Sequence, residues 1–185
     1  MANSNCTDIV YLREILKERG PDIERAFLSN LPEDLKSLYM NASYSTWTPT
    51  SRCMKVLDAA AETFFPEDPE RYFKNGKTIA NRVFSGIHRI FIRVTNVDFI
   101  FKRAPNVWRA YHDEGKVTIN YITDNKCDFS VGGYPDMSFN MREYVRGYLT
   151  AILEVIGEKN VNVELANPNP NEWKWIASWD KESPA

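Results

Sequence analysis

KVTINYITDNKCDFSVGG, residues 116–133, is where the apolar period of the chain changes from that of helices to that of strands. Val117, Ile119 and Tyr121 alternate with Thr118 and Asn120, the pattern of a strand with one buried face. Asp124-Asn125 supplies turn residues, and Cys127, Phe129 and Val131 form the return strand of a hairpin, ended by Gly132-Gly133-Tyr134-Pro135. Downstream the period returns to helical: Met141, Tyr144, Val145, Tyr148, Leu149, Ile152, Val155 and Ile156 make one stripe from Ser138 to about Ile156, with Gly157 as the stop. Val161, Val163 and Leu165 alternate as a third strand. The Asn-Pro cluster at 167–171 predicts a turn, and Trp173, Trp175, Ala177 and Trp179 share one face of a fourth strand. Two hairpins flanking one helix predict an antiparallel four-stranded sheet covered by that helix on one side.

Upstream the chain reads as helices. Asp8 to Arg19 forms one, stopped by Gly20-Pro21; Pro32-Glu33-Asp34 opens another, carrying Leu35, Leu38 and Tyr39. Thr48-Pro49 predicts a capped start, followed by Met54, Leu57, Ala61, Phe64 and Phe65 at helical spacing, with Pro66 as the end. Asp68-Pro69-Glu70 starts a helix reaching about Phe84; Gly76 inside it costs about 1 kcal/mol relative to Ala, which points to close packing or a bend there. Phe84, Ile87, His88, Phe91 and Ile92 continue the stripe, and two short helices are predicted at Asp98–Lys102 and Asn106–Tyr111, separated at Pro105. The expected fold class is α+β: a helical N-terminal half followed by β-β-α-β-β. It is read as one domain over 1–185, with 1–30 an N-terminal helical extension, 31–115 the helical half and 116–179 the sheet half.

A chain of 185 residues buries enough surface to fold without metal or disulfide. The net charge of −2, with mixed signs and no cation run longer than Lys102-Arg103, argues against nucleic acid. Cys6, Cys53 and Cys127 are widely spaced and odd in number, which gives neither a disulfide framework nor a zinc knuckle. No secretory leader is read at the N-terminus, and no apolar run approaches the ~20 residues of a membrane span, so a cytoplasmic protein is expected.

No catalytic constellation is legible. His88 lies on an apolar face beside Ile87 and Ile90, where a hydrogen-bonded boundary histidine explains it better than a ligand does. For His112, beside Asp113 and Glu114, a solvated turn is as good an explanation as a functional site. There is no Gly-x-Ser-x-Gly elbow, no His-Glu-x-x-His helix and no P-loop Lys after Gly132-Gly133. Carboxylate pairs such as Glu67/Asp68 fall at helix ends, where the dipole accounts for them. The aromatic content of 13% is the informative feature: Phe84, Phe91, Phe99, Phe101, Trp108 and Tyr111 crowd the segment before the sheet, with Tyr144 and Tyr148 on the covering helix. Small-molecule pockets are lined in this way, as are solid aromatic cores. The Trp173/Trp175/Trp179 face packs on the helix or, alternatively, forms a dimer surface.

Tyr44-x-x-Trp47-x-Pro49, Trp108-x-x-Tyr111-x-x-x-Gly115, Gly147-Tyr148-Leu149 and the closing Trp179 resemble an uncharacterised bacterial family of about this length. The wider architecture is similar to the small-molecule-binding superfamily of 4-vinyl reductase domains, haem-nitric-oxide-binding domains and vesicle-tethering subunits. The resemblance implies helices over an antiparallel sheet, homodimers and a buried apolar pocket, in proteins that act as sensors or adaptors. Metal-binding members carry Glu-x-x-Cys near the last hairpin; here Glu164 is followed by Asn167 where the thiolate would stand, so no metal is expected. The haem members' Tyr-x-Ser-x-Arg motif is absent as well.

The resulting expectation is a non-enzymatic sensing module for a small apolar or aromatic molecule, lined by Phe84, His88, Phe91, Trp108, Tyr111 and Tyr148. No catalytic residue and no cofactor are expected, with haem through His88 as the alternative. The competing functional readings are a homodimeric adaptor without ligand and an enzyme whose site is assembled from distant residues.

Overall fold

A computed structural model describes residues 1–85, 96–134, 137–169 and 172–180. In chain order these form β1 (Asn3–Asn5), α1 (Thr7–Arg19), α2 (Pro21–Ser29), α3 (Glu33–Asn41), β2 (Trp47–Pro49), α4 (Thr50–Phe64), α5 (Arg71–Val83), α6 (Val97–Tyr111), β3 (Lys116–Thr123), β4 (Lys126–Gly132), α7 (Phe139–Ile156), β5 (Asn162–Asn169) and β6 (Glu172–Ser178). The architecture is α+β, with helices packed beside a four-stranded antiparallel sheet of order β3-β4-β6-β5.

The two hairpins meet through β4 and β6, where Phe129 pairs with Trp175 and Val131 with Trp173. Trp173, Trp175 and Trp179 are buried within the chain, so this face belongs to the core and not to a dimer surface. The Trp175 indole N–H donates to the Arg142 carbonyl of α7 at 3.1 Å, which joins sheet to helix and satisfies a buried polar atom. Ser138 caps α7 by accepting from the Met141 N–H at 3.2 Å, and Gly157 ends it at φ +120°.

Three local expectations are corrected. Gly20-Pro21 ends α1 but also starts α2, because Pro suits the first turn of a helix as well as it stops one. Thr48-Pro49 does not cap α4: both residues lie in β2, where Thr48 pairs with Ser4, and the helix begins at Thr50. Pro105 does not divide α6, which runs unbroken from Val97 to Tyr111. Packing of Phe101, Ala104 and Trp108 against the core outweighs the backbone hydrogen bond that Pro105 forfeits. The expected turn at 167–171 also starts later, since β5 continues to Asn169 past an irregularity between Ala166 and Pro168.

Gly76 of α5 and Gly147 of α7 explain each other. A Cβ added at Gly76 would lie 2.0 Å from the Tyr144 carbonyl oxygen, and one at Gly147 would lie 2.0 Å from that of Phe73. The helices therefore touch backbone to backbone, and no side chain fits between them. Residues 1–19 share the same core: Ile9, Leu12 and Leu16 of α1 are fully buried. Gly147→Ala is expected to destabilise the fold by about 3 kcal/mol or more, as overpacking against backbone that cannot yield. A shift of the urea midpoint smaller than that of an exposed helical Gly→Ala control would contradict this contact.

Candidate functional site

Where α1, α4, α6 and α7 converge on β4 and β6, the side chains leave a cavity of about 240 Å³. That exceeds the ~150 Å³ apolar cavity known to take up benzene and falls just short of the roughly 300–1,000 Å³ of drug-sized sites. Its wall is predominantly apolar. Trp108 and Tyr111 come from α6, Tyr144, Tyr148 and Leu149 from α7, Met54 and Leu57 from α4, and Phe129 and Ala177 from the sheet. Arg103 and Val107, exposed on α6, mark the rim.

Of the residues expected from sequence, Phe84, Trp108, Tyr111 and Tyr148 are brought together in this lining, with the Phe84 ring edge-on to Tyr148 at 5.9 Å. His88 and Phe91 lie outside the described residues. Phe101 joins the wall, whereas Phe99 is exposed under the Arg103 guanidinium.

Two polar features were not legible from sequence. The first is Asp8, in the first turn of α1, which is among the residues lining the cavity. Tyr144 donates its hydroxyl to Asp8 Oδ2 at 2.9 Å, while Oδ1 is buried without a hydrogen-bond partner among the described residues. Burial pushes the Asp8 carboxyl up to about 6, against the opposing pull of the Tyr144 hydrogen bond. Burial also raises Tyr111, Tyr144 and Tyr148, so these phenols stay neutral.

The second feature is a hydroxyl–imidazole network at the β1 end. Ser4 Oγ lies 2.8 Å from Thr50 Oγ1 and 3.0 Å from His112 Nδ1, and Tyr134 Oη lies 2.6 Å from Thr50 Oγ1. The solvated turn considered for His112 is therefore incorrect: its ring stacks on Trp108 at 4.0 Å, and desolvation lowers its pKa to about 4. A Ser–His pair suggests a nucleophile, but Ser4 is buried and its hydroxyl is shared among three partners. Asp113 holds the Asn3 backbone and side-chain N–H groups at 2.6 and 2.7 Å, so it does not orient the imidazole as a third triad member would. The network ties β1 to α6 and the sheet.

No family model matches the sequence, and no curated protein matches it either. Solved structures do match. An H-NOX protein from S. oneidensis in the Fe(II)NO ligation state aligns with a TM-score of 0.64 at 9% identity, over 96% of this chain and 99% of that one. An oxygen-binding H-NOX domain related to soluble guanylate cyclases gives 0.62 at 11%, over 95% and 92%. A structure described as probing heme distortion in the H-NOX family gives 0.59 at 10%, over 96% and 96%. The chain shares the H-NOX fold, which is the haem-nitric-oxide-binding branch of the resemblance read from sequence; nothing among these matches supports the 4-vinyl reductase branch.

These matches correct the expectation of no cofactor, because structures with this fold are described through heme or through Fe(II). The cavity holds donors of the kind such a group uses, but its present space of about 240 Å³ does not hold a porphyrin. Haem iron takes an imidazole as axial ligand, and His112 lines the cavity as a neutral imidazole with Nδ1 anchored on Ser4, the type of outer partner that orients ligating histidines. Arg103 at the rim provides a cation for carboxylates. Size is the tighter condition, since a porphyrin requires the walls to part beyond 240 Å³.

The raised carboxyl also makes a stability prediction. Asp8 ionises near 6 in the folded chain against 3.8 when exposed, so the folded state binds the proton more tightly. Its ionisation destabilises the fold at neutral pH by roughly 3 kcal/mol, a penalty removed as pH falls through 6 toward 4. Asp8→Asn is expected to be more stable than the parent at pH 7, with the difference shrinking over that range in denaturant titrations. Referring each pH to the variant cancels the similar contribution of Asp58, also raised to about 6, and the opposite one of His112.

Proposed function

We propose that this domain is a ligand-sensing module that takes a compact, largely apolar molecule into the cavity between α6, α7 and the sheet. The observation that carries the reading is the cavity itself, an aromatic-walled space with isolated polar groups where helices and sheet would otherwise close on a solid core. Phe84, Trp108, Tyr111 and Tyr148 supply shape and ring faces, and His88 and Phe91 remain proposed lining on sequence grounds. The homodimer is likewise proposed from the resemblance.

Binding in such a space couples to the rest of the domain through α7. Tyr144 and Tyr148 flank Gly147, so a molecule pressing on those rings presses on the helix whose backbone rests against α5. The free energy of filling the cavity is available to shift that packing, since a ligand moves a conformational equilibrium by its differential affinity for the two states.

A second reading is favoured by His112. In it the cavity would have to widen before haem could enter; His112 would then hold the iron and Arg103 would offer a cation to the carboxylates, and the group would supply an iron site for a diatomic gas.

Thermal unfolding with added toluene or indole tests the first reading. A ligand at about 100 times its Kd stabilises by about 2.7 kcal/mol, which raises the Tm. Ala104→Trp, which fills the space from α6, should abolish the rise while leaving the far-ultraviolet circular dichroism unchanged. An intense porphyrin absorption band in protein expressed with a haem precursor, lost in His112→Ala, would support the second reading. Neither a stabilising apolar probe nor a porphyrin band would remove both.

A further inference from the structure

The tyrosines that line the cavity differ in what their hydroxyls do. Tyr144 donates to Asp8 Oδ2 at 2.9 Å and is thereby spent. Tyr111 from α6 and Tyr148 from α7 make no hydrogen bond with another described residue. Neither oxygen is among the sealed, partnerless polar atoms of the described residues, which are Asp8 Oδ1, Asp58 Oδ1, Arg71 Nε, Asn75 Oδ1 and Trp173 Nε1. Those atoms are closed to any ligand, whereas both half-buried phenols keep accessible surface. The two also lie close enough for the charge of one to oppose ionisation of the other. Tyr148 is held between the Phe84 ring at 5.9 Å and the Tyr144 ring at 6.2 Å.

These hydroxyls act as donors. Burial raises Tyr111 to about 12 and holds Tyr148 well above its usual range, so both keep their protons at neutral pH. A phenol O–H donates one hydrogen bond, and a carbonyl oxygen has two lone pairs to receive such bonds. No full charge stands free beside them among the described residues. Arg103 at the rim donates to the Phe99 carbonyl at 3.3 Å and lies 3.4 Å over that ring, and His112 is neutral with Nδ1 on Ser4. A charged guest would enter an apolar space without a counter-charge, which is costly. A hydrocarbon would shut two hydroxyls away from water with nothing to bond. A neutral molecule with one acceptor oxygen meets neither penalty.

Resting on the sensing reading above, we infer that the ligand of this cavity is a neutral carbonyl compound, a ketone, aldehyde or ester whose oxygen accepts from Tyr111 and Tyr148 while its apolar body packs against Trp108, Leu57 and Phe129. A site of this design rejects the analogue that lacks the acceptor, because its own buried hydroxyls are then left unpaired. One oxygen bonded to both phenols also ties α6 to α7, the two helices that wall the cavity.

The test compares acetophenone, its hydrocarbon isostere α-methylstyrene and its anionic isostere benzoate by isothermal titration at pH 7.5 with the full chain. Acetophenone should bind at least about tenfold more tightly than α-methylstyrene, with benzoate weakest; tenfold corresponds to 1.4 kcal/mol. The double variant Tyr111→Phe/Tyr148→Phe removes two oxygens and keeps both rings. It should erase that preference and leave α-methylstyrene affinity within about threefold. The infrared carbonyl band of bound acetophenone is a readout that needs no variant, and it should lie below its position in hexane. A band at the hexane position, α-methylstyrene or benzoate binding as tightly as acetophenone, or a preference that survives the double variant overturns the inference and leaves the sensing reading intact. Failure of all three compounds to bind overturns both.

Discussion

The contact between Gly76 and Gly147 is the constraint around which the rest of the domain is arranged. Because neither position tolerates a Cβ, α5 and α7 lie against each other along their backbones, and the heading of α7 over the sheet is set by that seat. The residues flanking Gly147 are therefore presented at fixed places: Tyr144 toward α1, where it meets Asp8, and Tyr148 toward Phe84. On the opposite side of α7, Trp175 donates to the Arg142 carbonyl and fixes the helix relative to β6. The cavity is what remains when α7 is held by both neighbours while α6 closes from a third direction.

Its polar groups divide by how well they are satisfied. The cluster of Ser4, Thr50, Tyr134 and His112 is closed on itself, each member bonded to another, and it joins the N-terminal strand to α4, α6 and the loop after β4. Networks of that kind rigidify. Asp8 is the opposite case, half satisfied and held at a cost.

The sheet and α7 were legible because alternation and the 3.6-residue stripe act over eight or more residues, and buried tryptophans on alternate positions of β6 leave one packing solution. Gly76 was visible as an anomaly and Gly147 only as part of a family resemblance, and the two glycines could not be paired without coordinates. Pro105 and Thr48-Pro49 misled because local signals lost to tertiary packing. The aromatic lining was partly legible, since Phe84, Trp108, Tyr111 and Tyr148 belong to stripes that must face inward. Asp8 and His112 were not. An acid in a first helical turn and a histidine before a glycine each have an ordinary surface explanation, and only neighbours more than a hundred residues away, Tyr144 for Asp8 and Ser4 for His112, reveal the burial.

Pro105 has a mechanical consequence. Lacking an N–H, it leaves the Phe101 carbonyl without its usual partner one turn back, midway along the helix that walls the cavity. A helix bends most cheaply where a rung is already missing, because no further hydrogen bond has to break. Of the walls, α7 is clamped by glycine on one side and tryptophan on the other, while α6 lacks one backbone hydrogen bond at Pro105, beside Ala104. Any swelling of the interior to admit a larger guest is thereby directed outward through α6, so the chamber has one yielding panel and one rigid one.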